Sequence, residues 1–480
     1  MTVEPRLNYL RGCWRPAASG ETYFTHGPMQ PNEALAAFPA SGPDDAGEAV
    51  AAAAEAFPDW ARTPAAQRAR LLETAAVVIA SRVEEIAREM TVEMGKPLRE
   101  SRGEVQRATQ ILRYFAGEAY RSTGESFEQS ANGGQVFTRR RPLGVVALIT
   151  PWNFPIAIPV WKLAPALIYG NTVVLKPAID APATALNVAA ALHEAGLPPG
   201  VLNVVTGAGS TVGAALVEDS RIAGVSFTGS VGVGEEIRRE TARTGKRVQL
   251  ELGGQNPLVV MDDADLPRAV EAAFAGAFFS AGQKCTATRR IYVQSGVYER
   301  FRDLLVRRIA ASRIGDPEDP ETEVGPVVNE RQLAHVIAAI ERGRAEGGTV
   351  LTGGKRVDRE SLLVEPTLFE HVADEAFLSC EEVFGPVASL YCFDTLDEAL
   401  RRANAVRFGL SAAVFTSSLA TAVRFEAEAA AGLIHVNSQT AGADVHVPFG
   451  GIKTSGYGPH EQGRAAMEFF TESITIYANA

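Results

Sequence analysis

The sequence feature that most constrains the fold is an alternation of short apolar segments with longer helical ones, which begins near Gly144. The segments GVVALIT, NTVVLKPA and GVSFTGS are apolar at nearly every position, so both faces of each predicted strand must be buried. Helical patterns such as TALNVAAALHEAG separate them. This alternation is typical of a doubly wound parallel sheet in an α/β protein. Ligands bind such sheets beyond the carboxyl ends of the strands, so we expect the chemistry there.

A second α/β half begins near Gly254, where NPLVVMD predicts a strand and residues 266–280 predict a helix. Two β-prone segments, QVFTRRRPLG and ESITIYA, lie outside the alternation. Leftover edge strands commonly pair with another chain. We therefore predict a homodimer or homotetramer that assembles through these edge strands.

The composition excludes several classes of partner. The 480 residues carry a formal net charge of -11, whereas binding to nucleic acid or to an anionic membrane requires clustered Lys and Arg. The first residues lack the basic and apolar run of a secretory signal, and no window reaches the roughly 18 apolar residues of a spanning helix. We expect a cytoplasmic protein that binds a small molecule, with no nucleic-acid partner and no membrane partner.

The cysteines argue against a metal and point to one candidate nucleophile. Cys13, Cys285, Cys380 and Cys392 lack the paired spacing of a zinc site or a disulfide framework, and no HExxH occurs. Cys285, however, lies in GQKCTA, among small residues. A thiol attacks a carbonyl only as the thiolate, which a nearby positive charge favours. Cys285 is therefore a candidate nucleophile, with Lys284 as the source of that charge.

Two glycine-rich turns follow apolar strands. FTGSVGVGEEI places Gly229, Gly232 and Gly234 before a helix, where backbone N–H groups and the helix dipole attract a pyrophosphate. VTGAGSTVG, which contains Gly207, offers similar surroundings. Neither turn is a true GxGxxG, and glycines in such turns are more often simple turn formers. The spacing alone leaves both interpretations open.

Three polar residues lie where apolar strands end. Glu251 in LELGGQNP is a candidate general base, because burial should raise its pKa, and the alternative is a structural ion pair. Asn153 in TPWNFP could hold an oxyanion with its amide or only form the turn. Lys176 in NTVVLKPA could bind a cofactor or extend to water. Together with a presented thiol, these groups fit an oxidation through a thioester.

The order of motifs along nearly the whole chain resembles the aldehyde dehydrogenase superfamily. The spacing from Glu251 to Cys285 also agrees with the family pattern. The resemblance implies an α/β fold with a doubly wound cofactor domain, an α/β catalytic domain and a small β bridging arm. The matching stretches are TPWNFP, NTVVLKPA, FTGSVGVG, LELGGQNP, GQKC, EEVFGPV and VPFGGIKTSGYG.

The resemblance also implies a domain organisation. We expect the dinucleotide-binding domain at residues 1–122 and 142–253, and the catalytic domain at 254–450. The oligomerisation arm would comprise residues 123–141 and 465–480.

The activity that the resemblance implies is the NAD(P)+-dependent oxidation of an aldehyde to a carboxylic acid. Cys285 would attack the aldehyde, Asn153 and the backbone N–H of Cys285 would hold the oxyanion, and hydride would pass to the nicotinamide. Glu251 would activate the water that hydrolyses the thioester. CoA-acylating relatives lack a carboxylate at this position, so its presence favours a free acid as product. The candidate cofactor-binding residues are Trp152, Lys176, Ile179, Gly207, Gly229, Ser230, Glu382 and Phe384.

One departure from the family pattern bears on the cofactor. NAD-preferring relatives often carry Glu three residues after the lysine, whereas this chain has Ile179 there and Asp180 one residue later. Without that carboxylate, the repulsion against a 2′-phosphate is lifted. We therefore expect NADP+, or the use of both NADP+ and NAD+, and no metal.

The motifs are most similar to the branch of the superfamily that oxidises 2-oxoglutarate semialdehyde (2,5-dioxopentanoate). Succinate-semialdehyde enzymes usually carry an arginine where this chain has Trp161. The residues Phe154, Trp161 and Phe449 would form an apolar substrate tunnel. The candidates for a carboxylate anchor, each with a surface or structural role as the alternative, are Arg289, Arg290 and His446.

Several alternatives stay open at this point. Succinate semialdehyde, or another aliphatic or aromatic aldehyde, could be the substrate. A non-redox cysteine esterase on the same fold would use Cys285 and Asn153 without a dinucleotide. A structural protein would use neither residue.

Overall fold

The computed structural model describes residues 5–130 and 134–479. The first residues of the predicted cofactor domain, residues 131–133 within the predicted arm, and residue 480 at its end lie outside the described residues. The strands are β1 (Asn8–Leu10), β2 (Cys13–Arg15), β3 (Thr22–His26), β4 (Ala34–Pro39), β5 (Ser126–Glu128), β6 (Gln135–Pro142), β7 (Val145–Ile149), β8 (Thr172–Lys176), β9 (Leu202–Val204), β10 (Ile222–Thr228), β11 (Arg247–Glu251), β12 (Asn256–Val260), β13 (Thr288–Gln294), β14 (Thr349–Thr352), β15 (Thr367–Glu370), β16 (Val387–Phe393), β17 (Phe408–Gly409), β18 (Ser411–Phe415), β19 (Leu433–Val436), β20 (Ile452–Lys453), β21 (Gly456–Tyr457) and β22 (Thr471–Ala478). The α-helices are α1 (Pro43–Arg62), α2 (Ala65–Ser81), α3 (Val83–Met94), α4 (Leu98–Gly117), α5 (Ala157–Ile168), α6 (Ala183–Glu194), α7 (Ala214–Glu218), α8 (Val231–Thr244), α9 (Leu266–Phe278), α10 (Tyr298–Ala310), α11 (Glu330–Ala345), α12 (Phe377–Cys380), α13 (Leu396–Asn404), α14 (Leu419–Glu428) and α15 (Ala466–Phe470).

The first sheet has the strand order β2-β1-β9-β8-β7-β10-β11-β21. Its central strands, from β9 to β11, run parallel, and the antiparallel strands β1, β2 and β21 lie at the edges. Every residue of β7 and β8 is buried, because helices cover both faces of the sheet. The register pairs Ile149 with Lys176 and Thr228 with Glu251, so the carboxyl ends of β7, β8, β10 and β11 lie at one edge.

The second sheet has the strand order β14-β15-β16-β13-β12-β18-β19. All of its neighbouring strands pair in parallel except β14, which is antiparallel to β15. This sheet and the helices around it enclose a hydrophobic core of their own, to which Val259, Phe274 and Phe369 belong. The prediction of two α/β units is therefore confirmed, whereas the exact domain boundaries stay a prediction.

The two β-prone segments that lay outside the alternation form a separate antiparallel sheet. Its strand order is β22-β6-β5, and β22 pairs with β6 along its whole length, from Thr471 opposite Pro142 to Ala478 opposite Gln135. The small β arm of the predicted fold class is thus confirmed. Among the described helices, none is both long and apolar enough to cross a bilayer.

Candidate active site

A cleft with a cavity volume of about 290 Å³ lies at the carboxyl edge of the first sheet and is closed by loops of the second. The first sheet contributes loops that follow β7, β10 and β11, and the second contributes the thiol and the segment before β16. The predicted site residues that line this cleft are Trp152, Asn153, Gly229, Ser230, Glu251, Cys285, Glu382 and Phe384.

The thiol of Cys285 is held by an unusual segment of backbone. The chain leaves α9 through Ser280 and Ala281, which have positive φ angles of 57° and 52°, and through Gly282 at 66°. A Cβ at Gly282 would overlap the Gly385 carbonyl, so only glycine allows this close approach. The side-chain amide of Asn256 donates to the Cys285 carbonyl at 2.8 Å, which fixes the main chain behind the sulfur.

The electrostatic surroundings of Cys285 favour the neutral thiol. Burial raises its pKa to about 12, and the nearby carboxylates of Glu382 and Glu251 act in the same direction. The backbone N–H groups of Thr286 and Cys285 act in the opposite direction. Lys284, the expected source of positive charge, donates its Nζ to the Ala275 carbonyl at 2.8 Å. Ionisation of the thiol therefore requires a base or a cation beyond Lys284.

Asn153 lies opposite the thiol segment and is buried. Its Nδ2 donates to the Gln283 carbonyl at 3.0 Å, which ties the loop after β7 to the loop that carries Cys285. A side-chain amide nitrogen carries two hydrogens, so the second N–H can donate to a developing oxyanion.

The position of Asn153 depends on a buried ion pair that the sequence analysis missed. Lys96 donates to the Asn153 carbonyl at 2.8 Å and forms an ion pair with Glu104, and both side chains are almost fully buried. The Glu104 carboxylate also accepts the N–H groups of Ile156 and Ala157, at 3.1 and 3.0 Å, at the start of α5. A carboxylate there complements the helix dipole, so the pair fixes both ends of the segment that contains Asn153.

Glu251 ends β11 with a buried carboxylate whose Oε2 has no hydrogen-bond partner among the described residues. Burial raises its pKa well above the usual range, and the neighbouring carboxylate of Glu461 raises it further. Lys162 and the Gly451 N–H oppose this shift. Lys162 forms a buried ion pair with Glu461 and donates to the Ser226 hydroxyl at 2.8 Å. Neither Lys162 nor Glu461 was a candidate in the sequence.

The cleft fits the nicotinamide half of a dinucleotide. Ser230 precedes α8, and no side chain caps this helix. The first backbone N–H groups of α8 are therefore free to bind a pyrophosphate. The Glu382 carboxylate accepts the Gly254 N–H at 3.0 Å, and burial raises the pKa of Glu382 to about 7. The ring of Phe384 contacts the Trp152 ring edge to face at 5.4 Å. The buried Thr228 hydroxyl, which also lines the cleft, has no partner within the described ranges.

The remaining cofactor candidates lie further along the sheet edge. Lys176 is buried and donates to the Pro177 carbonyl, and burial lowers its pKa to about 8. Ile179, which is 38% exposed, lines a second cavity that shares Arg331 with the first. Gly207 lines neither cavity; a Cβ there would lie 2.9 Å from the Ser41 carbonyl, so this glycine permits close packing.

Asp180, the acid that follows Ile179, lines the second cavity together with Ile179. Its carboxylate accepts the side-chain amide of Asn329 at 2.8 Å. The acid is therefore anchored to the second α/β unit.

The candidate tunnel residues lie on and around α5. The rings of Trp161 and Phe449 contact each other at 5.4 Å with a 37° tilt. Phe154 lies 4.0 Å below the Lys96 ammonium. The structure does not place Arg289 or Arg290 as carboxylate anchors, because both are buried and donate to backbone carbonyls. His446 is exposed on the loop that precedes Phe449.

A thiol, an unpaired buried carboxylate and an amide donor that face a nucleotide-binding sheet edge are typical of oxidoreductases that work through a covalent intermediate. Residues 14–476 match the Aldehyde dehydrogenase family. The chain belongs to this family and is an NAD(P)-dependent oxidoreductase that acts on aldehydes.

Three similar proteins illustrate the range of the family. The chain is 44% identical over 475 residues to the alpha-ketoglutaric semialdehyde dehydrogenase of Bacillus subtilis, with 98% of this chain and 97% of the relative covered. It is 46% identical over 419 residues to a betaine aldehyde dehydrogenase of Cereibacter sphaeroides, with 87% and 86% covered. The NAD+ complex of an aldehyde dehydrogenase from Bacillus cereus superimposes with a TM-score of 0.97 at 36% identity, with 99% and 97% covered.

The buried ion pair yields a first prediction. In Lys96→Met, the Glu104 carboxylate stays buried without its partner, which we expect to cost about 3–5 kcal/mol of stability. The Asn153 carbonyl also loses its donor, so kcat should fall as well. Thermal unfolding and steady-state kinetics measure the two effects. The control is Lys355→Met, which removes an exposed lysine from a distant surface. An unchanged kcat in Lys96→Met would show that Asn153 is held in place without Lys96.

Proposed function

We propose that this protein oxidises 2-oxoglutarate semialdehyde to 2-oxoglutarate, with NADP+ or NAD+ as the electron acceptor. The observation that carries the chemistry is that Cys285, Glu251 and Asn153 line one cleft with the pyrophosphate turn at Gly229. The relative from Bacillus subtilis, named for this aldehyde, supports the choice of substrate.

The first step is the attack of the Cys285 sulfur on the aldehyde carbon. The thiol proton must leave, and the unpaired Oε2 of Glu251 is the acceptor that the cleft offers. As the S–C bond forms, the carbonyl oxygen becomes an oxyanion. The free N–H of Asn153 and the backbone N–H of Cys285 stabilise this charge without reorganisation, because both are already fixed.

When bound, the dinucleotide would supply the hydride acceptor that converts the thiohemiacetal on Cys285 into a thioester. Glu382 would hold the nicotinamide ribose, and Phe384 and Trp152 would limit the room around the ring. Glu251, after it has released the proton of the first step to solvent, would take a proton from the water that attacks the thioester. As the carboxylic acid leaves, Glu251 would return that proton to the Cys285 thiolate and restore the thiol. The net reaction consumes one aldehyde, one water and one oxidised cofactor.

Two buried charged residues, Lys162 and Glu461, act on the pKa of Glu251. The charge of Glu461 raises the pKa of Glu251, and Lys162 opposes this shift. This opposition adjusts Glu251 for proton transfer in both steps, because a general base works best when its pKa lies near the working pH.

For the cofactor, we propose a preference for NADP+. Ile179 lines the second cavity without a charge that would repel a 2′-phosphate, and the carboxylate of Asp180, which lines the same cavity, accepts the Asn329 amide. Arg331 lines both cavities and adds positive charge beside the carboxylates of Asp180 and Glu330, which also line the second cavity. The NAD+ complex of the Bacillus cereus relative is the reason to test both cofactors.

The same proposal includes the quaternary structure. The arm formed by β5, β6 and β22 exposes side chains such as Tyr477 at its outer edge, and an uncovered strand edge is suited to pairing with another copy. We propose a homodimer or homotetramer. Light scattering should give twice or four times the chain mass of 51.1 kDa, and a monomer would contradict this proposal.

A profile of kcat/KM over aldehydes with each cofactor tests the proposed function. We expect 2-oxoglutarate semialdehyde to exceed succinate semialdehyde, betaine aldehyde and benzaldehyde, and NADP+ to exceed NAD+. The absorbance of the reduced cofactor measures each rate. Ester hydrolysis without oxidation of any aldehyde would support the esterase alternative instead. Absence of both activities would support the structural alternative.

The role of Glu251 yields a further prediction. Glu251→Gln should release about one reduced cofactor per site and then stall, with steady turnover lowered by about 10²- to 10⁴-fold, because hydrolysis of the thioester loses its base. In the native enzyme the rate should fall as the pH drops through the raised pKa of Glu251, since only the deprotonated form accepts a proton. The control is Glu381→Gln, at a partly exposed acid that pairs with Arg407. Normal steady turnover in Glu251→Gln would assign the base to another group.

A further inference from the structure

Arg107, on α4, is a partly buried cation that the mechanism above does not use. Its Nη2 is shielded from solvent and has no hydrogen-bond partner among the described residues. A buried N–H group without an acceptor costs stability, so such a group usually has a partner or awaits one. Burial lowers the pKa of Arg107, and the Asp444 carboxylate opposes that shift.

The helices α4 and α5 pack side by side in parallel, which sets the level of Arg107. Near their starts, the Glu104 carboxylate accepts the Ala157 N–H at 3.0 Å. At their ends, the Tyr169 hydroxyl donates to the Glu118 carboxylate at 3.2 Å. Arg107 lies one turn after Glu104 on α4, and Trp161 lies one turn after Ala157 on α5. The two side chains therefore belong to the same level of the helix pair.

Trp161 contributes a second donor at that level. Its Nε1 is likewise buried and without a partner in the described part of the chain, and its ring packs against Phe449. The loop that ends at Phe449 also carries Asp444, the carboxylate that acts on Arg107. Asp444 is exposed, and within the described ranges its carboxylate accepts no hydrogen bond from the Nη2 of Arg107. Asp444 therefore leaves the buried Nη2 unsatisfied.

We propose that Arg107 and the Nε1 of Trp161 together bind the carboxylate of the substrate at the outer part of the tunnel. This inference rests on the proposed function and specifies its substrate class: unbranched aldehydes that end in a carboxylate. A guanidinium and a neutral N–H suit a carboxylate, because charge-assisted hydrogen bonds in a shielded site are strong. The arginine that is absent at position 161 is thus replaced by one on the adjacent helix.

The same site discriminates against cationic aldehydes. Betaine aldehyde carries a quaternary ammonium group, which a buried guanidinium repels and to which an N–H cannot donate. Asp444 is too exposed to compensate, since water screens its charge. The enzyme should therefore disfavour betaine aldehyde, in spite of its similarity to the Cereibacter sphaeroides relative.

Arg107→Met tests the proposal with two aldehydes of equal chain length. For 2-oxoglutarate semialdehyde, KM should rise about 10- to 100-fold with kcat little changed, as expected for the loss of one charged hydrogen bond. For pentanal, which has no carboxylate, kcat/KM should stay within about threefold. Arg113→Met is the matched control, because it removes the same charge from an exposed position on the same helix. In Arg113→Met, kcat and KM should stay unchanged for both aldehydes.

Two further variants keep the test decisive. Trp161→Phe keeps an aromatic ring against Phe449 but removes the N–H. It should raise KM for 2-oxoglutarate semialdehyde by a smaller factor than Arg107→Met does. Arg107→Lys keeps the charge and should recover part of the loss seen in Arg107→Met. A binding experiment is independent of turnover: 2-oxoglutarate should raise the melting temperature of the native enzyme and of Arg113→Met, but not that of Arg107→Met.

If kcat/KM in Arg107→Met fell by the same factor for pentanal and for 2-oxoglutarate semialdehyde, Arg107 would only support the fold. That result would overturn the proposal. An unchanged KM for the acid in that variant would overturn it as well. Failure of the proposed function has a different signature: the native enzyme would then oxidise pentanal but not 2-oxoglutarate semialdehyde, or would oxidise neither.

Discussion

The structure depends on one hydrogen bond between two parallel sheets, from the side-chain amide of Asn153 to the carbonyl of Gln283. Asn153 belongs to the loop after β7 in the first sheet, and Gln283 belongs to the segment that presents Cys285 in the second unit. The bond therefore fixes the distance between the candidate oxyanion donor and the candidate nucleophile. Lys96 and Glu104 support it from the back, where burial makes each of their contacts costly to lose. Buried polar contacts of this kind hold the loops that line the cleft.

A second constraint is the burial of the ionisable groups in the cleft. Burial raises the pKa values of Cys285, Glu251 and Glu382, and the carboxylates of Glu382 and Glu251 raise the pKa of the Cys285 thiol further. The resting site consequently favours a neutral thiol, which protects the sulfur from oxidation and from other electrophiles. An oxidised nicotinamide carries a positive charge, so its arrival would shift this balance toward the thiolate.

The sequence predicted the parts of this structure that have local signatures. Alternating apolar strands and helices indicated both parallel sheets, and strand ends followed by glycine or proline indicated where Glu251, Asn153 and Lys176 would meet. The antiparallel edge strands β1 and β2 were not predicted, because three-residue strands carry too little pattern. Lys96, Glu104, Lys162 and Glu461 were missed for a different reason. Each is a single charged residue in an ordinary helix or loop, and its role arises only from a partner far away in the chain. Arg107 was missed for the same reason, since no local pattern distinguishes it from the exposed arginines of α4.

The central claim is that the aldehyde is carried as a thioester on Cys285. Its most direct test is mass spectrometry of Glu251→Gln that has been quenched during the burst of reduced cofactor. We expect an acyl adduct that raises the mass of the peptide containing Cys285 by the substrate mass minus two hydrogens. The adduct should be absent when Cys285 is also replaced by Ala. Reduced cofactor formed in a burst without any adduct on that peptide would contradict it.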